Sequence, residues 1–250
     1  MNDFKTSKIC VLMPTYNNAG TLRNIVERVL TFCEDVVVVN DGSTDASADI
    51  LYSFGDKITI ISYEKNRGKG YALKKGLEKA RELDFDYAIT IDTDGQHFPE
   101  DIPLFINALE QNPNFLIVGS RNLRQENMPG KNTFANKFSN FWFKVQTGVN
   151  LPDTQTGFRL YPLKKLPNLN CLTSRYEAEL ELLVGAAWRG VDLTPIKINV
   201  FYPKAEERVS HFRPFRDFFR ISVLNTILCI MAVVYGLPSR YIRRARRSHE

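Results

Sequence analysis

The sequence is poor in the residues that build disulfide frameworks and soft-metal sites. Its 250 residues include four cysteines and three histidines. Cys10, Cys33, Cys171 and Cys229 show no CxxC spacing, and no histidine stands at ligand spacing beside them. That pattern argues against a zinc cluster or a secreted disulfide scaffold and fits a reducing compartment. Cys10 lies in an apolar run, where a thiol is buried as a small hydrophobe. The first apolar run, Ile9–Met13, is too short for the hydrophobic region of a leader, so the folded body is expected in the cytosol. Internal repeats and low-complexity tracts are also missing. Net charge is only +5, and five arginines at 240, 243, 244, 246 and 247, against Glu250, supply most of it. The rest of the chain is nearly neutral. The basic end suits the phosphate of lipid headgroups or of nucleic acid, or plain solvation; of these a membrane and no nucleic acid is the expected partner.

What is present is a 44% hydrophobic composition, enough for a folded core. Short apolar runs recur at Ile9–Met13, Val36–Val39, Ile58–Ile61, Tyr87–Ile91 and Leu116–Val118. Between them the spacing turns helical. Leu22, Ile25, Val26, Val29 and Leu30 share one helix face, as do Ala72, Leu73, Gly76, Leu77 and Ala80. Pro99 suits the first turn of a helix that buries Ile102, Phe105, Ile106 and Leu109. This alternation predicts an α/β fold with a mainly parallel sheet flanked by helices. Ligands of such sheets bind beyond the carboxyl ends of the strands. Past Arg121 the alternation breaks. Leu123–Thr133, with Pro129 and Gly130, reads as a mobile loop. Phe134–Val145 and Tyr176–Trp188 read as helices, and Val191–Phe201 as a late strand.

Four segments after successive strands carry the chemistry. The strongest is Asp92-Thr93-Asp94-Gly95-Gln96. Side chains two apart on an extended chain point to one side, so Asp92 and Asp94 can converge on a cation, with Gln96 adding a neutral oxygen. Hard oxygen ligands suit Mg²⁺ or Mn²⁺. A lone acidic pair is more often a solvated turn; the strand context and the other three segments argue otherwise. Those segments are Pro14-Thr15-Tyr16-Asn17-Asn18, Asn40-Asp41-Gly42-Ser43-Thr44-Asp45 and Asn66-Arg67-Gly68-Lys69-Gly70. In the second of them Ser43 or Thr44 can cap the next helix, and Asp41 can accept from a nucleobase. The last offers backbone N–H groups and a cation at a helix start, an ordinary place for phosphate. Glu177, Glu179 and Glu181 read as solvated or salt-bridged on a helix, and His97 as a structural ring.

With these motifs in this order, residues 7–212 resemble the family 2 glycosyltransferases of GT-A fold. Within that family the chain is most similar to the polyprenyl-phosphate sugar synthases, such as dolichol-phosphate mannose synthase. The resemblance implies that Asp41 contacts the donor base, alongside Pro14, Thr15, Asn17, Gly68, Lys69 and Asp92 as donor-binding residues. It implies that Asp92, Asp94 and Gln96 bind the metal. Gly119-Ser120-Arg121 matches a stretch whose arginine contacts phosphate. Asp153-Thr154-Gln155-Thr156-Gly157-Phe158-Arg159 matches an acceptor-side element. Arg208-Val209-Ser210-His211 resembles a donor-proximal segment, or serves as a basic hinge to the tail. Asn40 and Asn18 stand where many relatives carry Asp and Glu.

Asp153 and Arg121 are the catalytic candidates. Asp153 has three roles open to it: capping a turn, acting as a general base, or organising the acceptor side. A sugar hydroxyl needs a base, whereas a polyprenyl phosphate is already anionic. For a phosphate acceptor Asp153 becomes an organiser, and Arg121 and Lys131 hold the phosphate; Lys131 is otherwise an exposed loop charge.

The chain divides into a body at 1–210 and a tail at 211–250. Arg213, Arg216 and Arg220 precede an apolar stretch, Ile221–Leu237, and the arginine-rich end follows it. As a helix these 17 residues measure roughly 26 Å, the lower edge of a span. Basic flanks on both sides favour lying in the interface or dipping into it. Ser222, Asn225, Thr226, Cys229 and Gly236 form a small, polar stripe suited to packing on another helix, such as one from a second subunit.

The sequence therefore predicts a metal-dependent inverting transfer from a nucleotide diphosphate-sugar to a polyprenyl phosphate at the cytoplasmic membrane face. The nearest rival is the same fold acting on a glycan or glycolipid hydroxyl. A nucleotidyltransferase would need a glycine- and arginine-rich loop where Pro14–Gly20 stands, and a membrane adaptor leaves Asp92 and Asp94 unexplained.

Overall fold

The computed structural model describes residues 7–121, 130–166, 173–201 and 214–239, with the side chains of 130–134 and 214–218 outside that description. Cys171 and Arg208 also lie outside it.

The alternation becomes β1 (Ile9–Thr15), α1 (Ala19–Leu30), β2 (Val36–Asn40), α2 (Ser47–Tyr52), β3 (Thr59–Ser62), α3 (Lys69–Glu82), β4 (Tyr87–Thr90), α4 (Ile102–Gln111) and β5 (Leu116–Arg121). Then follow α5 (Gly130–Thr147), β6 (Arg159–Pro162), α6 (Glu177–Trp188), β7 (Leu193–Ile198) and α7 (Pro214–Met231), which runs on as a π-helical turn over Ala232–Gly236. Strand order is β3-β2-β1-β4-β6-β5-β7. β1 pairs in parallel with β2 and β4, and β5 in parallel with β7. β6 is antiparallel to both of its neighbours.

The alternating side chains of the central strands feed two cores. Cys10 and Leu12 of β1 join Val37, Val39 and the α3 face on one side of the sheet. Val11 and Met13 join Val36, Val38 and the faces of α1 and α4 on the other. Burial on both faces is why these strands read as continuous apolar runs. Each fully buried Leu, Ile or Val contributes about 1.5–3 kcal/mol relative to exposure.

Three expectations need correction. Gly130–Thr133 belongs to the first turn of α5 and not to a loop; the rest of that expected loop lies outside the described residues. Ser43 and Thr44 do not cap α2, which starts at Ser47 without a side-chain cap. Both cross-link neighbouring turns instead: Asn17 N donates to Ser43 Oγ (3.0 Å) and Thr44 N to Asn17 Oδ1 (2.8 Å). Finally, β6 has no counterpart in the expected strands. It opens on Arg159, which is fully buried. That guanidinium donates to Thr154 O (3.0 Å), Glu179 O (2.8 Å) and Tyr161 Oη (3.2 Å).

Candidate active site

The parallel strands β1, β2, β3 and β4 end on one edge, and the four motif segments meet there. They line a cavity of about 580 Å³. Pro14, Thr15, Asn17, Asp41, Gly68, Lys69, Asp92, Asp94 and Gln96 all border it, as do Asn66, Arg175 and Tyr176. Arg175 and Tyr176, just before α6, had no signal in the sequence.

Asp92 and Asp94 both reach this cavity, while Thr93 between them is buried. The Thr93 side chain acts as a peg. Its hydroxyl reaches Thr15 Oγ1 (3.0 Å) and Pro14 O (3.3 Å), and Asn18 Nδ2 donates to it (2.8 Å). Asn18, unlike a glutamate, supplies that N–H. Asn40 likewise uses both ends of its amide, donating to Ser62 Oγ (3.1 Å) and accepting from Ser43 N (3.1 Å). A carboxylate can only accept, so both asparagines have a structural reason to be there.

Asp41 sits at the start of α3 as that helix's own anion. Its carboxylate accepts from Arg67 N (2.8 Å), Gly68 N (2.8 Å) and Asn66 Nδ2 (3.0 Å). Three of roughly four lone-pair sites are taken, leaving about one open. The N–H groups of Arg67 and Gly68, expected to be open to phosphate, are therefore engaged. Tyr71 N donates to Ser174 O as well (2.9 Å). Those two amides are therefore not open to a ligand, and among the described residues the cationic side chains that border the cavity are Lys69 and Arg175.

Lys69 Nζ lies 2.8 Å from Asp92 and 3.1 Å from Glu179 Oε1. Burial alone would lower the lysine's pKa, but the two carboxylates override it and raise it well above the usual value. Glu179 is thus buried and ion-paired. That pair is the salt-bridged half of the expectation for this run; its neighbours Glu177 and Glu181 are buried as well and not solvated, and Glu181 accepts from Thr173 N (3.0 Å) and Oγ1 (2.7 Å). Asp92 remains ionised: burial works against it, but Lys69 holds its pKa below the usual carboxylate value. Asp94 is pushed the other way, up to about 6, by burial and then by the Asp92 charge. Burial pushes His97 down to about 4, so the ring is neutral, and it packs 5.4 Å from Phe158.

Among the described residues no three His, Cys, Asp or Glu side chains cluster closely enough to form a closed metal site. The donor set is two carboxylates and the Gln96 carboxamide. Three hard oxygens with other positions left to water and diphosphate fit Mg²⁺ or Mn²⁺ and do not fit a soft metal. The raised Asp94 pKa marks negative charge that a cation would neutralise.

Gly157, from the acceptor-side element, closes this corner. A Cβ there would lie 2.7 Å from Asp92 Oδ2 and 2.9 Å from Lys69 Nζ. Gly157→Ala is expected to displace the Asp92–Lys69 pair and lower turnover at least tenfold (about 1.4 kcal/mol). Its midpoint of thermal unfolding should shift by only a few degrees. Wild-type turnover in the variant would show that the close approach is immaterial.

Asp153 and Arg121 lie outside the cavity lining, in a cluster of their own. Asp153 is fully buried and accepts from Arg121 Nε (2.6 Å), Nη2 (3.0 Å) and N (3.3 Å), from Asn136 Nδ2 (2.6 Å) and from Gln155 N (3.0 Å). The Asp153 backbone is flanked by Asn140, which accepts from Thr154 N (3.0 Å) and donates to Pro152 O (2.7 Å). Asn136 and Asn140 carry no motif; only the fold reveals them. Lys131 falls in the first turn of α5; its side chain lies outside the described residues.

The chain is similar to known proteins. Residues 10–168 match the family described as "Glycosyl transferase family 2". Among curated relatives, the UDP-N-acetylglucosamine–dolichyl-phosphate N-acetylglucosaminyltransferase of Methanococcus voltae is 29% identical over 215 residues, covering 78% of this chain and 86% of that protein. The polyprenol monophosphomannose synthase of Mycolicibacterium smegmatis is 25% identical over 219 residues, covering 82% and 81%. Among solved structures, the glucosyl-3-phosphoglycerate synthase of Mycobacterium tuberculosis, crystallised with Mn²⁺, UDP and phosphoglyceric acid, superposes with a TM-score of 0.68 at 18% identity. It covers 91% of this chain and 79% of that one, which establishes a GT-A-like fold.

Proposed function

The chain belongs to glycosyl transferase family 2 and is a glycosyltransferase; from that premise we propose that it transfers one sugar, with inversion, from a nucleotide diphosphate-sugar to a polyprenyl phosphate at the cytoplasmic face of a membrane. The observation that carries the donor half is the convergence of Asp92, Asp94 and Lys69 on one cavity at the strand ends. Asp92, Asp94 and Gln96 would hold a divalent cation, Mg²⁺ or Mn²⁺. Such a cation supplies Lewis-acid neutralisation of the departing nucleotide diphosphate. Lys69, steered by Glu179, adds a second positive charge beside it. Asp41 holds the β3–α3 turn in place and has room to accept one hydrogen bond from the base. Pro14, Thr15 and Asn17, at the end of β1 between the ends of β2 and β4, border the same cavity.

The acceptor half follows from proton chemistry. A phosphate attacks the anomeric carbon as an anion and needs no base. Asp153 carries five hydrogen bonds and is held below its usual pKa: burial raises it, but Arg121 outweighs burial. It is therefore a positioning residue that orients Arg121, and positioning with electrostatics does most of the work. Lys131 and Arg208 are proposed as further phosphate and donor contacts.

The second reading, a hydroxyl acceptor, would need a carboxylate free to take a proton. Glu177 Oε2 is buried without a partner among the described residues and is the group that reading would use. An acceptor panel separates the two. Polyprenyl phosphate should be glycosylated and the corresponding polyprenol should not, with Glu177→Gln keeping most of the activity. Transfer to the alcohol or to a glycolipid, abolished in Glu177→Gln, would overturn the phosphate assignment.

A further inference from the structure

The helix Phe219–Ser239 is long and apolar enough to cross a membrane, yet it packs side-on against the body. Leu224, Leu228 and Ala232 are buried in the core shared with α3 and α6. Between them lies a polar clasp. Gln146 of α5 donates from Nε2 to Asn225 Oδ1 (3.0 Å), and Trp188 Nε1 of α6 donates to Gln146 O (2.8 Å). Gly236 rests on the Trp188 indole so closely that a Cβ would come within 2.3 Å of it. Asn225, Cys229 and Gly236, three of the five residues in the stripe expected to meet another helix, thus face α5 and α6 of the same chain.

The opposite face is apolar and exposed: Val223, Ile227, Ile230, Val233, Val234 and Leu237, with Val233 at 72% and Val234 at 77%. A contiguous run of exposed large apolar side chains on a folded surface marks an interaction. The occupant must suit a long apolar strip bracketed by arginines in sequence, at 213, 216 and 220 before it and at 240–247 after it. An anionic leaflet meets both requirements. Spanning does not fit the docking. The contacts with α5 and α6 run from Leu224 to Gly236, roughly 18 Å of helix. A spanning α7 would carry α5 into the hydrocarbon with its exposed Lys137 and Lys144.

We infer that α7 and its π-helical end lie in the plane of an anionic bilayer, apolar face down, clasped to the body by Gln146, Asn225 and Trp188. The catalytic body is thereby held at a fixed height and tilt over the leaflet. This deepens the membrane siting proposed above, but its test needs neither donor nor acceptor.

The experiment is flotation of the full chain with vesicles of phosphatidylcholine and phosphatidylglycerol. It is joined to depth measurement by spin labels at Val223→Cys, Ile230→Cys and Val234→Cys, with Cys33, Cys171 and Cys229 replaced by Ala. All three labels should sit at one shallow depth, roughly 5–10 Å below the headgroup boundary. Val233→Asp/Val234→Asp should reduce binding at least tenfold with an unchanged melting curve, because both side chains are exposed. Labels whose depth peaks in the middle of the helix would overturn the in-plane placement in favour of a span. Labels that stay out of lipid and become protected as the protein dimerises would overturn it in favour of a second copy. Sugar transfer that fails while flotation holds would count against the acceptor reading alone.

Discussion

Asp94→Asn should lower sugar transfer by two to three orders of magnitude (roughly 3–4 kcal/mol) and yet yield a protein that, free of metal, melts higher than wild type. Both effects have one cause. Burial and the Asp92 charge raise the Asp94 pKa from 3.8 to about 6. A carboxyl whose folded pKa exceeds its unfolded one destabilises the fold once both are passed. The cost is absent below about pH 4, grows as pH rises towards 6, and stays on the order of a few kcal/mol above it. Asparagine bears no charge and keeps an oxygen for Gln96 N, which Asp94 Oδ1 accepts at 3.0 Å. In EDTA near pH 7.5 the variant should gain several degrees, and near pH 4 the gain should vanish. Added Mg²⁺ or Mn²⁺ should stabilise the wild type and not the variant. A variant no more stable than wild type at neutral pH, or one that still responds to the cation, would contradict the assignment of Asp94 as a ligand.

Asp153→Asn should damage the fold as well as the rate. The carboxylate is 0% exposed and the Arg121 side chain 15% exposed, so the change leaves a largely buried guanidinium without its counter-charge. Breaking such a pair typically costs about 3–5 kcal/mol. The sign with pH is opposite to that of Asp94. The Asp153 pKa is depressed, so its stabilisation is complete above 3.8 and is lost as pH falls through the lower folded value. The gap in stability between wild type and variant should therefore narrow only in strong acid. Turnover should fall because Arg121 is misplaced, with the pH–rate profile unchanged in shape. A variant of wild-type stability whose rate has lost a basic limb would show that Asp153 takes a proton after all.

The central strands and the acidic pair were legible because local rules suffice for them. A strand buried on both faces is an apolar run whatever surrounds it, and Asp92 and Asp94 follow β4 directly. The strand beginning at Arg159 was not legible, because its first residue is tolerated only through partners at Thr154, Tyr161 and Glu179. Asp41 could be placed at the site from sequence, but not its capture of the Arg67 and Gly68 N–H groups just before α3, a contact that closes over about 26 residues. Glu179 meets Lys69 across more than a hundred residues, and no local pattern announces that. In α7 the docked and exposed faces are built from the same apolar residue types. Periodicity therefore could not separate Leu224, Leu228 and Ala232 from Val223, Ile227 and Ile230.

The most direct test of the account is labelled sugar transfer into polyprenyl phosphate, using a panel of UDP- and GDP-sugars with and without EDTA. The account predicts that one donor labels the lipid, that EDTA stops the labelling, and that Mg²⁺ or Mn²⁺ restores it. Labelling that continues unchanged in EDTA, or donor turnover that never reaches the lipid phosphate, would contradict it.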